Sequence, residues 1–180
     1  MMIPPKAKRA ILNDLKRSNL TPGDSVKMRI RYVPSLRMNE LHPGICDDAY
    51  EIRYFDIKGK PINYSRYRFL EEVWLPESKK DSSKKRLIKY LQLPGAKSRF
   101  YFPPFLKWWK IARNTEVEIF FVEGEKKAAS LCKLGFPAIG LGGIWNWLTK
   151  NDRGPSDLIS DFNLIDWKNR KTTIVFDADV

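Results

Sequence analysis

The segment Val117-Glu118-Ile119-Phe120-Phe121-Val122 runs directly into Glu123-Gly124-Glu125-Lys126-Lys127-Ala128. A nearly continuous apolar run that stops at a glycine describes a strand covered on both faces. The next residues change period: Ala128, Leu131 and Cys132 share one helical face between Glu125 and Leu134, with Gly135 closing the helix and Pro137 beyond it. Ala138 to Leu141 then reads as a short buried strand ended by Gly142-Gly143. Ser156 is placed to cap a short helix through Phe162, and Thr172-Thr173-Ile174-Val175-Phe176 is a β-branched third strand. The order strand, helix, strand, helix, strand predicts an α/β unit of parallel strands joined by right-handed crossovers.

In an open parallel sheet, chemistry collects at the carboxyl ends of the strands. Glu123 follows the first strand directly, and Asp177 and Asp179 follow the third. If those strands are neighbours, three carboxylates converge. Such a cluster repels itself unless a cation is present, and carboxylate oxygens are what Mg²⁺ prefers. The D-x-D spacing keeps both aspartates on one face of an extended chain, so that they can share a metal or bridge two. Each acid also has a plainer reading, Asp as turn or cap chemistry and Glu123 as a solvated loop residue. The metal-site reading rests on their occurrence at corresponding strand ends. Lys126 and Lys127 either counter these acids or meet a nucleotide phosphate, and helix solvation explains them equally well.

Outward from this unit, residues 1–113 hold much of the basic and aromatic content in short runs punctuated by turns. Lys6 to Ser18 carries Ile11, Leu12 and Leu15 at helical spacing, and Pro22-Gly23 is expected to end that helix. Tyr50, Ile52 and Tyr54 alternate, Asp56 to Gly59 supplies a turn, and Ile62 to Leu70 alternates again, which predicts a hairpin. Glu77 to Lys85 has no apolar residue and reads as a solvated, mobile loop before a strand from Leu87 to Leu93. In the hairpin, Arg53, Arg66 and Arg68 alternate with Tyr54, Tyr64 and Tyr67, and Lys84, Lys85, Arg86, Lys89, Lys97 and Arg99 extend the positive stretch. Cations that neutralise phosphates beside rings that stack on bases suit a single-stranded template, although arginine and tyrosine are ordinary strand residues too. Trp108, Trp109, Trp145, Trp147 and Trp167 read as packing residues, Gly140, Gly142 and Gly143 as a tight strand exit, and His42 as a surface loop residue.

The 180-residue chain carries 33 Lys and Arg against 21 Asp and Glu, a formal charge of +12 that favours a polyanionic partner. Its 43% apolar content excludes wholesale disorder. No apolar run approaches the roughly 18 residues of a membrane span, and the start lacks a signal peptide's apolar stretch, so the chain reads as cytoplasmic with no membrane partner. Two cysteines and one histidine exclude a zinc finger or a disulfide framework.

Phe121-Val122-Glu123-Gly124-Glu125-Lys126-Lys127-Ala128, followed downstream by Ile174-Val175-Phe176-Asp177-Ala178-Asp179, resembles the topoisomerase-primase (Toprim) domain, whose signature is Glu-Gly after the first strand and D-x-D after the third. The chain more closely resembles the Toprim-like domain of uncharacterised function in primase and primase-helicase proteins of phages, plasmids and integrative elements. Tyr54-Phe55-Asp56, Lys89-Tyr90-Leu91-Gln92, Tyr101-Phe102-Pro103-Pro104 and Ala138 to Trp147 carry that resemblance. It implies a mixed α+β basic platform over 1–113, then an incomplete Toprim-like parallel sheet with flanking helices over 114–180. It also implies an Mg²⁺- or Mn²⁺-dependent nucleotidyltransferase in DNA replication, with Asp177 and Asp179 as metal-binding acids and Glu123 in acid-base work or metal coordination. Single-stranded DNA and nucleotides would be its substrates, and a helicase or the missing C-terminal half of the protein its partner. Bacterial replicative primases place another acid four residues after the glutamate, where this chain has Lys127. The Toprim fold also continues past its D-x-D, so the implied site is incomplete. The same acids serve Toprim nucleases, and an inert DNA-binding or assembly module is a further alternative. Ile174 to Val180 is also similar to the nucleophile strand of haloacid-dehalogenase-type phosphatases, but that strand opens its domain.

Overall fold

The computed structural model of the chain describes residues 2–76, 84–149 and 156–177. Helix α1 (Pro5–Lys16) starts with proline in its first turn and turns Ala7, Ile11 and Leu15 inward, the amphipathic stripe expected of it. α1 ends at Lys16, before Pro22, in a turn that carries Asn19 at φ of +56°, and Pro22-Gly23, expected to end it, instead opens another helix, α2 (Pro22–Lys27). Thr21 Oγ1 accepts from the Asp24 N–H, and the Asp24 carboxylate accepts from the Thr21 N–H, a capping box. The strand β1 (Arg31–Val33) and helix α3 (Ser35–Leu41) follow. Both are too short to raise a periodic signal.

Three longer strands, β2 (Ala49–Phe55), β3 (Pro61–Pro76) and β4 (Lys85–Gln92), join β1 in an antiparallel sheet of order β1-β2-β3-β4. The β2–β3 hairpin is the anticipated one, with Tyr50 opposite Arg68 and Ile52 opposite Arg66. Most of the stretch expected to be a mobile loop, residues 77–83, lies outside the described residues. Alternation along β3 sends Tyr67 and Phe69 to one face, where they meet Met38 of α3 in a small core, and Arg66 and Arg68 to the other. His42 is buried edge-on against Tyr67, ring centroids 5.9 Å apart, rather than lying in a surface loop.

The later part contains α4 (Trp108–Ile111), β5 (Ile119–Val122), α5 (Glu125–Lys133), β6 (Ala138–Gly140), a 3₁₀ helix (Ser160–Leu164) and β7 (Thr172–Val175). β5 is the middle strand of a parallel sheet of order β6-β5-β7, with Val122 in register with both Gly140 and Val175. The second crossover departs from expectation. In place of a helix capped at Ser156, Leu158 bridges to Leu148 and only the 3₁₀ helix forms. Asp161 within it is held by the Phe100 N–H at 2.8 Å and by Arg99, so tertiary contacts override the local helical signal. β5 and β6 are buried as their apolar runs predict, whereas Ile174 and Val175 of the edge strand β7 are exposed.

One core joins the two sheets, with Tyr50, Ile52 and Tyr54 of β2 in the same buried cluster as Phe100 to Phe102, Ile119 and Val122. Trp108 belongs to it, but Trp109 and Trp145 are exposed, against the expectation that both pack inside. Cys46 is exposed and Cys132 buried, both as free thiols.

Asp14 of α1 ties the layers together. It accepts from the Tyr50 hydroxyl on β2, from Arg68 on β3 at 3.3 Å, and from Lys126 on α5 at 2.7 Å. Burial raises its pKa, but these three donors outweigh that and hold the carboxyl down at about 2. The Lys126 pKa is lowered too, but here by desolvation, which is only partly offset by an acid it shares with Arg68. A carboxyl depressed in the folded state contributes stability that is complete above its unfolded pKa and disappears as pH falls through the folded one. The shift from 3.8 to about 2 corresponds to about 2 kcal/mol. Asp14→Asn should therefore lower the urea midpoint at pH 7, with the gap to the wild type closing as pH falls from 5 toward 2. Parallel stability curves over that range would remove Asp14 from this role.

Candidate active site

The parallel pairing of β5 with β7 puts their carboxyl ends side by side, and with them Glu123 and Asp177. The Asp177 N–H donates to Glu123 Oε1 at 3.3 Å. Between the two carboxylates stands Lys127, the third residue of α5, with its Nζ 3.3 Å from Glu123 Oε2 and also bonded to Asp177 Oδ1. The Lys127 hydrogen bond and charge hold the Asp177 carboxyl below its usual range. Lys127 is itself partly desolvated, which lowers its pKa, but the two acids outweigh this and raise it. Asp179, the third acid expected here, lies outside the described residues. Among the described residues no group of three metal-ligating side chains forms.

The turn after β6 fixes Glu123 from the other side. The Gly143 N–H donates to the Glu123 carbonyl at 2.7 Å, and the Leu141 N–H to that of Val122 at 2.9 Å. Gly142 has φ of +67°, and a Cβ there would sit 2.6 Å from Arg66 Nη1. That position therefore requires glycine both for its backbone and for space. The tight strand exit expected of this glycine turn is there, and it packs against a guanidinium of the first sheet.

That guanidinium belongs to a buried cluster for which the sequence carries no local signal. Glu125, the first residue of α5, is 0% exposed. Its Oε1 accepts from the Tyr54 hydroxyl at 2.6 Å and from Arg66 Nη1 at 2.8 Å. Read alone, Glu125 is an ordinary acid in a helix's first turn, favourable to the helix dipole. Its partners come from β2 and β3, 71 and 59 positions away. Burial pushes the Tyr54 hydroxyl well above its normal pKa, and the Glu125 charge adds to that. Arg66 is raised as well, since Glu125 outweighs the guanidinium's desolvation.

These contacts sort the sequence's nucleic-acid residues. Arg66, Arg68, Lys89, Lys126 and Lys127 line one cleft of about 390 Å³ with Glu123, Glu125 and Asp177. Five cations against three carboxylates leave this cleft net positive, which favours a polyanion. Tyr90, which sequence reading did not select, also lines it, with the Arg66 and Arg68 guanidiniums 4.9 and 5.0 Å from its ring centroid. Its register opposite Arg68 was the missing signal. Tyr54 is fully buried behind the cleft, and Tyr67 is buried on the opposite face of the sheet, so the base stacking expected of both is corrected to packing. Arg53 pairs with Glu51 at 3.0 Å, and Arg99 with Asp161 at 2.9 Å, away from the cleft. Lys84, Lys85 and Arg86 are exposed beyond it, at the start of β4.

Comparison with a solved structure bears on the fold that carries this cleft. Residues covering 97% of the chain superpose on the Aquifex aeolicus primase (zinc binding and RNA polymerase domains) with a TM-score of 0.55 and 17% sequence identity. The fold is primase-like. A family model described as a domain of unknown function (DUF3854) matches residues 107–180, the part that carries Glu123 and Asp177. An uncharacterized protein of Picosynechococcus is 37% identical over 79 residues, 40% of this chain. The chain spans 43% of the primase chain and 8% of the Picosynechococcus protein.

Because Arg66 and Glu125 desolvate each other, removing one leaves a buried charge. Glu125→Ala should destabilise by about 3 to 5 kcal/mol. Tyr54→Phe, which removes one hydrogen bond to a charged group, should cost about 1.5 to 3 kcal/mol. Chemical denaturation should find Glu125→Ala with Arg66→Met less damaging than the sum of the two single changes. Strict additivity would mean the pair does not act as a unit.

Proposed function

We propose that this chain is the nucleotidyl-transfer portion of a primase-like enzyme of Toprim type, acting with Mg²⁺ or Mn²⁺ on single-stranded DNA and nucleotides. The observation that carries the reading is the meeting of Glu123 and Asp177 at adjacent strand ends, with a cation already held between them. The Lys127 ammonium is a stand-in for the charge these oxygens select, and their hard donor set fits a divalent metal. Glu123 and Asp177 would hold that metal, with Asp179 expected to join them. The chemistry a bound Mg²⁺ supplies at such a site is activation of a 3′ hydroxyl and stabilisation of a pyrophosphate leaving group.

The chain's own residues have separate tasks in this reading. Lys126 is anchored on Asp14, and Arg66 on Glu125, so neither charge needs to reorganise when a phosphate enters. Lys127 is the mobile cation. It is 40% exposed, and it can leave the two acids for a phosphate when a metal takes its place. Lys89, together with Lys84, Lys85 and Arg86 farther along β4, continues the positive surface on which a template strand would lie. A helicase or a further portion of the same polypeptide would supply the DNA and complete the site.

A second reading, an inert DNA-binding module, draws on the same lysine. Where bacterial replicative primases carry an acid, Lys127 neutralises the pair. Mn²⁺ titration followed by electron paramagnetic resonance separates the two. Lys127→Ala should tighten Mn²⁺ binding and Asp177→Asn should abolish it. No Mn²⁺ binding in either the wild type or Lys127→Ala would leave only the inert module. With labelled nucleotides and a single-stranded template, the enzyme reading expects extension products that Asp177→Asn lacks. Cleaved template in their place would point to a Toprim nuclease.

Template binding should be steeply salt-dependent. Four phosphate contacts would give a slope of roughly −3 in log affinity against log salt for a single strand. Fluorescence anisotropy with an oligothymidylate measures it, and a flat dependence would discard the cleft as a phosphate site.

A further inference from the structure

Four of the five cations lining the acidic cleft, Arg66, Arg68, Lys126 and Lys127, are paired with carboxylates, whereas a group on another face is not. Lys58, Lys107, Lys110 and Arg113 are exposed and form no salt bridge among the described residues. In their midst is Trp109, 48% exposed. Its neighbour Trp108 takes the structural role in α4, buried against Phe102 with its indole N–H donating to the Pro103 carbonyl at 2.9 Å. Trp109 points away from that core. It lines a cleft of about 420 Å³ with Ile57, Lys58 and Arg113, and the Lys110 ammonium stands 5.2 Å from its ring centroid. No carboxylate lines this cleft among the described residues. Asp56 in the adjacent hairpin turn has Oδ1 engaged by the Lys58 and Lys60 N–H groups.

The place in the fold separates this cleft from the one already described. Arg170 donates to the Ile111 carbonyl at the end of α4 and to the Val117 carbonyl just before β5. α4 is thereby held at the amino end of the parallel sheet, whereas Glu123 and Asp177 are at its carboxyl end.

We propose that Trp109, with Lys58, Lys110 and Arg113 around it, is a second binding site for single-stranded nucleic acid. An unpaired base stacks on the exposed indole, and the flanking phosphates fall on the three cations. A lone exposed aromatic needs no explanation. An indole beside cations that form no salt bridge, in a cleft with no acid among the described residues, has the two features that sequence-tolerant strand binding requires. Arg66, Arg68, Lys126 and Lys127 are held by internal acids, whereas among the described residues no acid competes with a phosphate for the cations of this face. The site goes beyond the proposed function, which places the strand only beside Glu123 and Asp177.

The test is anisotropy of the full chain with two fluorescein-labelled strands of equal length, an oligothymidylate and its abasic counterpart. Trp109→Ala should weaken oligothymidylate binding roughly tenfold. Trp109→Phe should recover most of that loss, and abasic binding should be the same for Trp109→Ala as for the wild type. Lys58→Gln with Arg113→Gln should flatten the salt slope for both strands by about 0.7 for each phosphate no longer neutralised. If Trp109→Ala binds as the wild type does while Lys89→Gln weakens binding, the strand lies only in the acidic cleft and this inference is overturned with the proposed function intact. Equal losses for the two strands overturn the stacking. Competition by polyglutamate as effective as by oligothymidylate makes the patch a site for acidic protein and overturns the nucleic-acid assignment. Absence of strand binding in the wild type overturns this inference and the template-binding part of the proposed function together.

Discussion

A fully buried carboxylate at the start of α5 holds the molecule's two sheets in register. Glu125 has no exposure to water and is bonded to a tyrosine of β2 and an arginine of β3. A charge so placed is tolerable only with its partners present. The demand acts in both directions: α5 must dock where Arg66 and Tyr54 can reach it, and the turn after β6 must carry glycine at 142 to make room for the guanidinium. With α5 docked there, Glu123 stands two residues before the first residue of the helix and Lys127 is its third. The geometry of the candidate site is thus set by an interaction outside it. Asp14 repeats the device nearby, linking α1 to Arg68 and Lys126.

This arrangement divides the chain's positive charge into two populations. Arg66, Arg68 and Lys126 of the cleft are held by buried or half-buried carboxylates, so they are fixed in place and partly neutralised. They suit recognition of a phosphate at a defined position, where a preorganised charge is worth more than a mobile one. Lysines at the start of β4 and around Trp109 are exposed and lack such anchors. They suit a polymer whose register along the surface is free to vary. A formal charge of +12 does not distinguish the two populations, although they imply different ligands.

The similarity to a primase is one of fold, at 17% identity, and it spans both sheets. The family match over residues 107–180 falls on the part that carries Glu123 and Asp177. Within that part, Lys127 places a positive charge inside the acidic pair. Any metal that binds there displaces an internal cation first, so occupancy of the site is coupled to where that ammonium goes next.

The amino-acid sequence by itself determined the parallel unit, the β2–β3 hairpin, α1, and the placement of Glu123 and Asp177 at strand ends. Each of these is written in spacings of two to four residues, and backbone geometry converts such spacings directly into faces and turns. It could not determine the burial of Glu125, the loss of Tyr54 and Tyr67 to packing, the exposure of Trp109, or the 3₁₀ helix where Ser156 was to cap a longer one. Arginine and tyrosine alternate in β3 whichever face meets the rest of the molecule. Pairing of Arg66 depends on a residue 59 positions away, and only tertiary structure brings that residue near. Local spacing assigns a side chain to a face, but the docking of the sheets decides whether that face meets water, and desolvation then decides which charges must be paired and which stay available to a ligand.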